Sequence, residues 1–113
     1  MRWFWIDRYL EFEVGRRAIA SKNCALGEEV IIDGPFPLYP VLPSSLIVEG
    51  VAQTGGLLVA AQSGFRSRVV LGKVTKAVFR RPVYAGETIT HTVEIQQFSA
   101  EGAMVQAVSR VAE

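Results

Sequence analysis

The stretch Gly34-Pro35-Phe36-Pro37-Leu38-Tyr39-Pro40-Val41-Leu42-Pro43-Ser44-Ser45-Leu46-Ile47-Val48-Glu49-Gly50-Val51-Ala52-Gln53 decides how this chain folds. Its first half holds prolines at 35, 37, 40 and 43. Each fixes φ and removes a backbone donor, so this half reads as a stiff, irregular loop. After Pro43 the pattern changes at once. Leu46, Val48, Val51, Ala52, Leu57 and Leu58 lead to about Gln62 without another proline and almost without polar residues. A helix apolar on nearly every face is a helix that the rest of the protein buries. Ser44 and Ser45 directly after Pro43 favour the N-cap and first turn. Gly50, Gly55 and Gly56 interrupt the run and predict close approach of another backbone. One carboxylate, Glu49, sits inside this helix.

Outward from the helix the pattern is that of strands. Residues 3–13 alternate apolar with charged side chains (Phe4, Ile6, then Arg8, Leu10, Phe12) and predict a strand ending near Gly15. Arg17 to Asn23 predicts its hairpin partner across Val14-Gly15-Arg16. Residues 25–43, with Gly27, Asp33 and Gly34, predict loop, Asp33 serving as a turn residue. Beyond Ser63-Gly64 three further strands are expected, over Val69–Val83, Glu87–Phe98 and Ala103–Ala112, with turns at Gly86 and at Glu101-Gly102. Two strands, one long helix and three more strands predict an α+β fold, a mostly antiparallel sheet wrapped around a central helix.

The chain has 113 residues, half of them hydrophobic, which suffices for one domain over residues 1–113 and leaves no room for a second. The formal net charge is +1, and six of the nine arginines fall in separate pairs (Arg16-Arg17, Arg66 and Arg68, Arg80-Arg81). Neither nucleic acid nor an anionic membrane is indicated as a partner. Cys24 is the only cysteine, so neither an intrachain disulfide nor an all-cysteine metal site can form. The apolar run Trp3 to Ile6 lies between Arg2 and Asp7 and is too short for a signal peptide or a membrane span. A soluble, reduced, cytoplasmic protein is expected.

Three places in the sequence have chemical potential. Glu49 among Ile47, Val48 and Val51 is either a desolvated carboxyl able to exchange a proton or a residue on a solvated stripe or paired with an arginine. At Ser44 and Ser45 the helix start offers unpaired N–H groups to a carbonyl or oxyanion, or the serines simply cap the helix. His91 is the only histidine and shares strand parity with Ile89, Val93 and Ile95. That parity makes it a core histidine unless it approaches Glu49.

At these residues the chain resembles the FabZ-type 3-hydroxyacyl-[acyl-carrier-protein] dehydratases, which have the hotdog fold. Their loop-helix motif reads roughly Gly-His-Phe-Pro-x-x-Pro-Val-x-Pro-Gly-x-Leu-x-x-Glu-Ala-x-Ala-Gln, and residues 34–53 match it without a gap. Ile6-Asp7-Arg8, residues 72–83 and Ala85-Gly86-Glu87 extend the resemblance over nearly the whole chain. The resemblance implies dehydration of a (3R)-3-hydroxyacyl thioester to the trans-2-enoyl thioester in fatty-acid biosynthesis, without metal or organic cofactor. It implies acyl carrier protein as partner and a homodimer or higher oligomer whose sites combine a histidine and a glutamate from different subunits. There the histidine takes the C2 proton, the carboxyl group assists loss of the 3-hydroxyl, and amides near the helix start hold the thioester carbonyl. Carried over by position, the acid is Glu49, the substrate-binding positions are Ser44, Gln53 and Phe36, and the position of the histidine is Pro35.

Two departures follow. Pro35 has no titratable group and no N–H, so the base of the family is absent from the motif. Family members also continue past the position of Glu113 into one more strand, so the last family strand is expected to be missing here. The readings in play are a FabZ-like dehydratase homologue in which Glu49 acts with His91, Asp33 or water, a non-catalytic acyl- or acyl-carrier-protein-binding module, and a hotdog thioesterase.

Overall fold

A computed structural model of the chain describes residues 5–25, 41–66, 69 and 72–111. Strands β1 (Arg8–Glu13) and β2 (Arg17–Asn23) precede the helix α1 (Ser44–Ala60) and its 3-10 extension Ala61–Ser63, and strands β3 (Thr88–Ser99) and β4 (Gly102–Val111) follow. The four strands form one antiparallel sheet in the order β1-β2-β3-β4. Both hairpins lie where turn residues put them. Gly15 takes φ +84° between β1 and β2, a conformation costly for any side chain with a Cβ.

Alternation along the strands decides which face meets the helix. Ala18 and Ala20 of β2 and Ile89, His91 and Val93 of β3 are all buried beneath α1, while Thr88, Thr90 and Thr92 on the other parity are not. Two apolar clusters result. Trp5, Cys24, Leu42, Ile47, Val83 and Ile89 pack around the start of α1, and Ala18, Leu58 and Val93 pack near its end. The first cluster is tied by backbone bonds that also fix where the proline-rich loop delivers the chain. Leu42 N–H donates to the Val83 carbonyl at 2.8 Å, Val41 bridges Tyr84, and Cys24 and Glu87 exchange the strand-like bond Cys24 N–H to Glu87 O at 2.9 Å. The Glu87 carboxylate accepts from the Tyr84 N–H at 2.8 Å and from Arg81, contacts that hold its pKa below the usual carboxylate range.

Four expectations need correction. Residues 72–80 form no strand; within the described part of 69–83 ladder-like contact comes only at the end, where the Val83 carbonyl accepts from Leu42 beside the Val41–Tyr84 bridge. A run of strand-forming residues needs a neighbour to take its N–H and C=O groups, and Val74, Val78 and Phe79 lie exposed with no adjoining strand among the described residues. The strand parity of β1 is also not the simple alternation of Leu10 and Phe12. A register shift between Tyr9 and Glu11 makes Leu10 a bulge, so that Tyr9 pairs with Ala20 and Phe12 with Ala18 on the helix side. The two rings meet edge to face at 5.0 Å.

The helix itself is buried on one side, through Ile47, Gly50, Thr54, Gly55, Leu58 and Ala60, and not all around. A single sheet face covers only one side, and Leu57 stays half exposed. The residues Ser44–Ala61 are apolar enough and long enough to cross a membrane, but α1 packs against all four strands, as the core helix of a sheet does. Finally, the N-cap is Pro43 and no side chain caps the helix, so Ser44 and Ser45 are its first two residues.

Candidate active site

Glu49 lies in the second turn of α1, partly buried, on a side that the sheet does not close off. Four residues later on the same helix face, Gln53 donates from Nε2 to Glu49 Oε1 at 3.2 Å. The Gln53 Oε1 in turn accepts the Trp5 backbone N–H at 2.8 Å. One turn earlier, helix geometry leaves the N–H groups of Ser44 and Ser45 without intrahelical acceptors. Both serines are exposed. A carboxylate and a helix N-terminus thus stand within about one and a half turns of each other on α1, roughly 8 Å along the axis.

The backbone of this part of α1 is unusually well held. Thr54, fully buried, donates from Oγ1 to the Gly50 carbonyl at 2.7 Å. The Tyr9 hydroxyl, brought inward by the β1 bulge, reaches the carbonyls of Gln53 at 3.3 Å and Thr54 at 3.0 Å. Burial pushes the Tyr9 hydroxyl up to about 12, so it remains a donor throughout the physiological range. Sequence reasoning missed Tyr9, because an aromatic in a strand gives no sign of a bulge that turns it inward.

His91 is brought beneath the same helix, but not to Glu49. It is 1 % exposed, and its Nδ1 lies 2.6 Å from Ser109 Oγ across the β3–β4 pair. Its Nε2 faces Gly50, where a Cβ would come within 2.6 Å of it. Among the described residues no hydrogen bond or ion pair joins His91 to Glu49. His91 thus sits in the core beside Ser109 rather than beside Glu49. The close approach foreseen at the helix glycines is made mainly by side chains. His91 Nε2 and the Trp5 carbonyl oxygen face Gly50, Val93 and Val105 face Gly55, and among the described residues nothing lies within 4 Å at Gly56.

Burial lowers the His91 pKa from 6.5 to about 4. The unfolded chain therefore binds one more proton than the folded chain between those values, and stability rises with pH across that window. Stability should be intact above pH 6.5 and fall as the pH drops from 6.5 to 4, by about 3 kcal/mol in total. Urea midpoints measured from pH 7.5 to 4.5 check this, and His91→Gln should flatten that part of the profile.

Pro35, Phe36 and Asp33 lie outside the described residues. Among the described residues no group of three or more His, Cys, Asp or Glu side chains is placed to hold a metal ion. A shallow depression on the opposite face of the sheet, lined by Asp7, Arg8, Ser21, Asn23 and Thr88, does not include Glu49.

Comparison with known proteins identifies the frame in which this carboxylate stands. Residues 3–112 match the FabA-like domain. The chain belongs to that family. It is 33% identical over 106 residues to the 3-hydroxyacyl-[acyl-carrier-protein] dehydratase FabZ of Desulforamulus reducens, an alignment covering 93% of this chain and 72% of the relative. The FabZ dehydratase of Latilactobacillus sakei subsp. sakei is 38% identical over 107 residues, covering 94% and 76%. That of Symbiobacterium thermophilum is 42% identical over 91 residues, covering 80% and 63%. The fold is thus the hotdog fold of the FabA-like family, and the four-stranded antiparallel sheet on α1 is its visible part in this chain.

Among the described residues, Glu49 is the carboxyl group that stands beside the helix start. Glu49 is accessible on one side, its carboxylate is directed by an amide, and donors of the helix start lie nearby. A carboxyl group so placed can give a proton to a departing hydroxyl, while helix-start amides stabilise negative charge developing on a carbonyl oxygen.

Proposed function

We infer that this chain is a FabZ-type dehydratase homologue that acts on (3R)-3-hydroxyacyl thioesters of an acyl carrier protein and has kept the acid half of the site. The observation that carries this reading is Glu49 at the family acid position, its carboxylate held by Gln53 on the helix whose start supplies the amides. In the reaction Glu49 protonates the 3-hydroxyl as it leaves, the Ser44 region holds the thioester carbonyl, and C2 loses its proton to form the trans-2-enoyl product. Phe36 lines the substrate path in this reading. With Pro35 at the position of the histidine, the C2 proton leaves to water, so turnover is slow. The reading includes a single-domain, cytoplasmic homodimer or higher homo-oligomer and no cofactor, with each site completed by the partner subunit.

The absence of a base at Pro35 favours one alternative, a module that binds the acyl chain or its carrier without turning it over. Incubation with 3-hydroxybutyryl or crotonyl thioesters, following the enoyl chromophore and free thiol together, separates the possibilities. Slow enoyl turnover that drops about a hundredfold in Glu49→Gln is expected. Thiol release instead would make the protein a thioesterase. Silence in both channels with measurable carrier binding would establish the binding module.

A further inference from the structure

We propose that Gln53 is a positioning residue that couples the backbone amide of Trp5 to the carboxylate of Glu49, so that the N-terminal segment sets the orientation of the acid. The functional part of this inference rests on Glu49 being the reacting acid; the coupling itself does not. A side-chain amide has two unlike ends, an oxygen that only accepts and a nitrogen that only donates. A backbone N–H can only donate. The Trp5 amide, 2.8 Å from Gln53 Oε1, therefore selects which end of Gln53 faces residue 5. The nitrogen is thereby turned to Glu49, whose Oε1 lies 3.2 Å away. Reversing the amide would set N–H against N–H at Trp5 and oxygen against carboxylate at Glu49. A single flip breaks both contacts, so the orientation is fixed from outside the helix.

Trp5 is well placed for such a role. Its side chain is buried in the cluster around the start of α1, with Leu42, Ile47 and Val83. Two residues on, Asp7 N–H donates to the Ser21 carbonyl at 2.7 Å, and the Asp7 carboxylate accepts from the Asn23 N–H at 2.7 Å. The segment is thus held at the Trp5 side chain and again two residues on, at Asp7. A donor to an ionised carboxylate is stronger than one to a neutral oxygen, and hydrogen bonds in a chain polarise one another. Ionisation of Glu49 must therefore be felt at Trp5. With both ends of its amide committed, Gln53 directs the acid, in place of the substrate-binding role that its position in the motif implies.

The test is a pH titration of the 15N-labelled full chain by two-dimensional NMR. The Gln53 side-chain amide and the Trp5 backbone amide should move together with one shared midpoint. In Glu49→Gln both should lose that movement. In Gln53→Met the Trp5 amide should lose it while the rest of the spectrum keeps its folded dispersion. A Trp5 amide that ignores Glu49, or that follows it equally well in Gln53→Met, overturns the proposal. If Gln53→Met does not fold, Gln53→Glu serves, because it keeps an acceptor for Trp5 and sets a second carboxylate against Glu49. The midpoint read at the Trp5 amide should then rise by at least about one pH unit, and an unmoved midpoint contradicts the coupling. The experiment needs no turnover. Coupled resonances in a chain inactive toward hydroxyacyl thioesters would sink the dehydratase reading and leave the coupling standing.

Discussion

Replacing Pro35 by histidine is expected to raise enoyl-thioester formation by about 10²–10⁴ over the natural chain, the usual contribution of a positioned general base. Proline offers neither a titratable group nor an N–H, so at this position the natural chain has nothing to take the C2 proton. The rest of the proposed machinery does not depend on residue 35. Glu49 is oriented by Gln53, and the helix carrying both is held by Tyr9, by Thr54 and by its packing on β2 and β3. The gain should appear in kcat with little change in KM, since a base acts on the transition state more than on binding. Pro35→Ala, which removes the ring without adding a base, should give no such gain. Initial rates with a 3-hydroxybutyryl thioester, followed by the enoyl chromophore, measure all three proteins. A histidine variant no faster than the alanine variant would mean that more than the base is missing.

Gly50→Ala is expected to destabilise the fold by about 2 kcal/mol, despite the gain of roughly 1 kcal/mol that alanine brings inside a helix. A Cβ at residue 50 would lie 2.6 Å from His91 Nε2 and 3.1 Å from the Trp5 carbonyl oxygen. The imidazole cannot swing away cheaply, because Nδ1 is engaged with Ser109 at 2.6 Å and the ring is buried. Helix and sheet would have to separate where both core clusters depend on their contact. The family motif has alanine after its glutamate, so in this chain Gly50 and the large inward His91 form a matched pair. Shrinking the partner should therefore relieve the strain. The double variant Gly50→Ala with His91→Val should recover most of the loss, and urea unfolding of the two single variants and the double measures the coupling. Additive losses would mean that the glycine answers to the Trp5 backbone alone.

The same pair shows what the sequence can and cannot disclose. The helix after Pro43 and both hairpins are legible because each is written in local residues: Pro43, Gly15, Gly102 and the alternation of Ile89, His91 and Val93. The boundaries of β2, β3 and β4 fall within about two residues of expectation for that reason. Residues 69–83 misled because a strand is a property of two segments, and their own valines and phenylalanine say nothing of a neighbour. Tyr9 escaped notice because the bulge at Leu10 is set by pairing with β2, not by a glycine or proline in β1. The position of Glu49 was legible from the motif, whereas its contact with Gln53 follows only partly from i, i+4 spacing. The contribution of Trp5 is tertiary, and nothing in residues 1–7 announces it. The packing of His91 against Gly50 had a faint sign, a glycine where the motif has alanine and a lone histidine of inward parity, but only the register of β3 beneath α1 joins the two.

The central claim is that position 35 and Glu49 belong to one dehydratase site of which this chain has kept the acid. A double-mutant cycle tests it most directly, comparing enoyl formation in the natural chain, Pro35→His, Glu49→Gln and the double variant. If the two residues share a site, the gain from Pro35→His should vanish, or nearly so, in the Glu49→Gln background. A gain of the same size in both backgrounds would contradict the account.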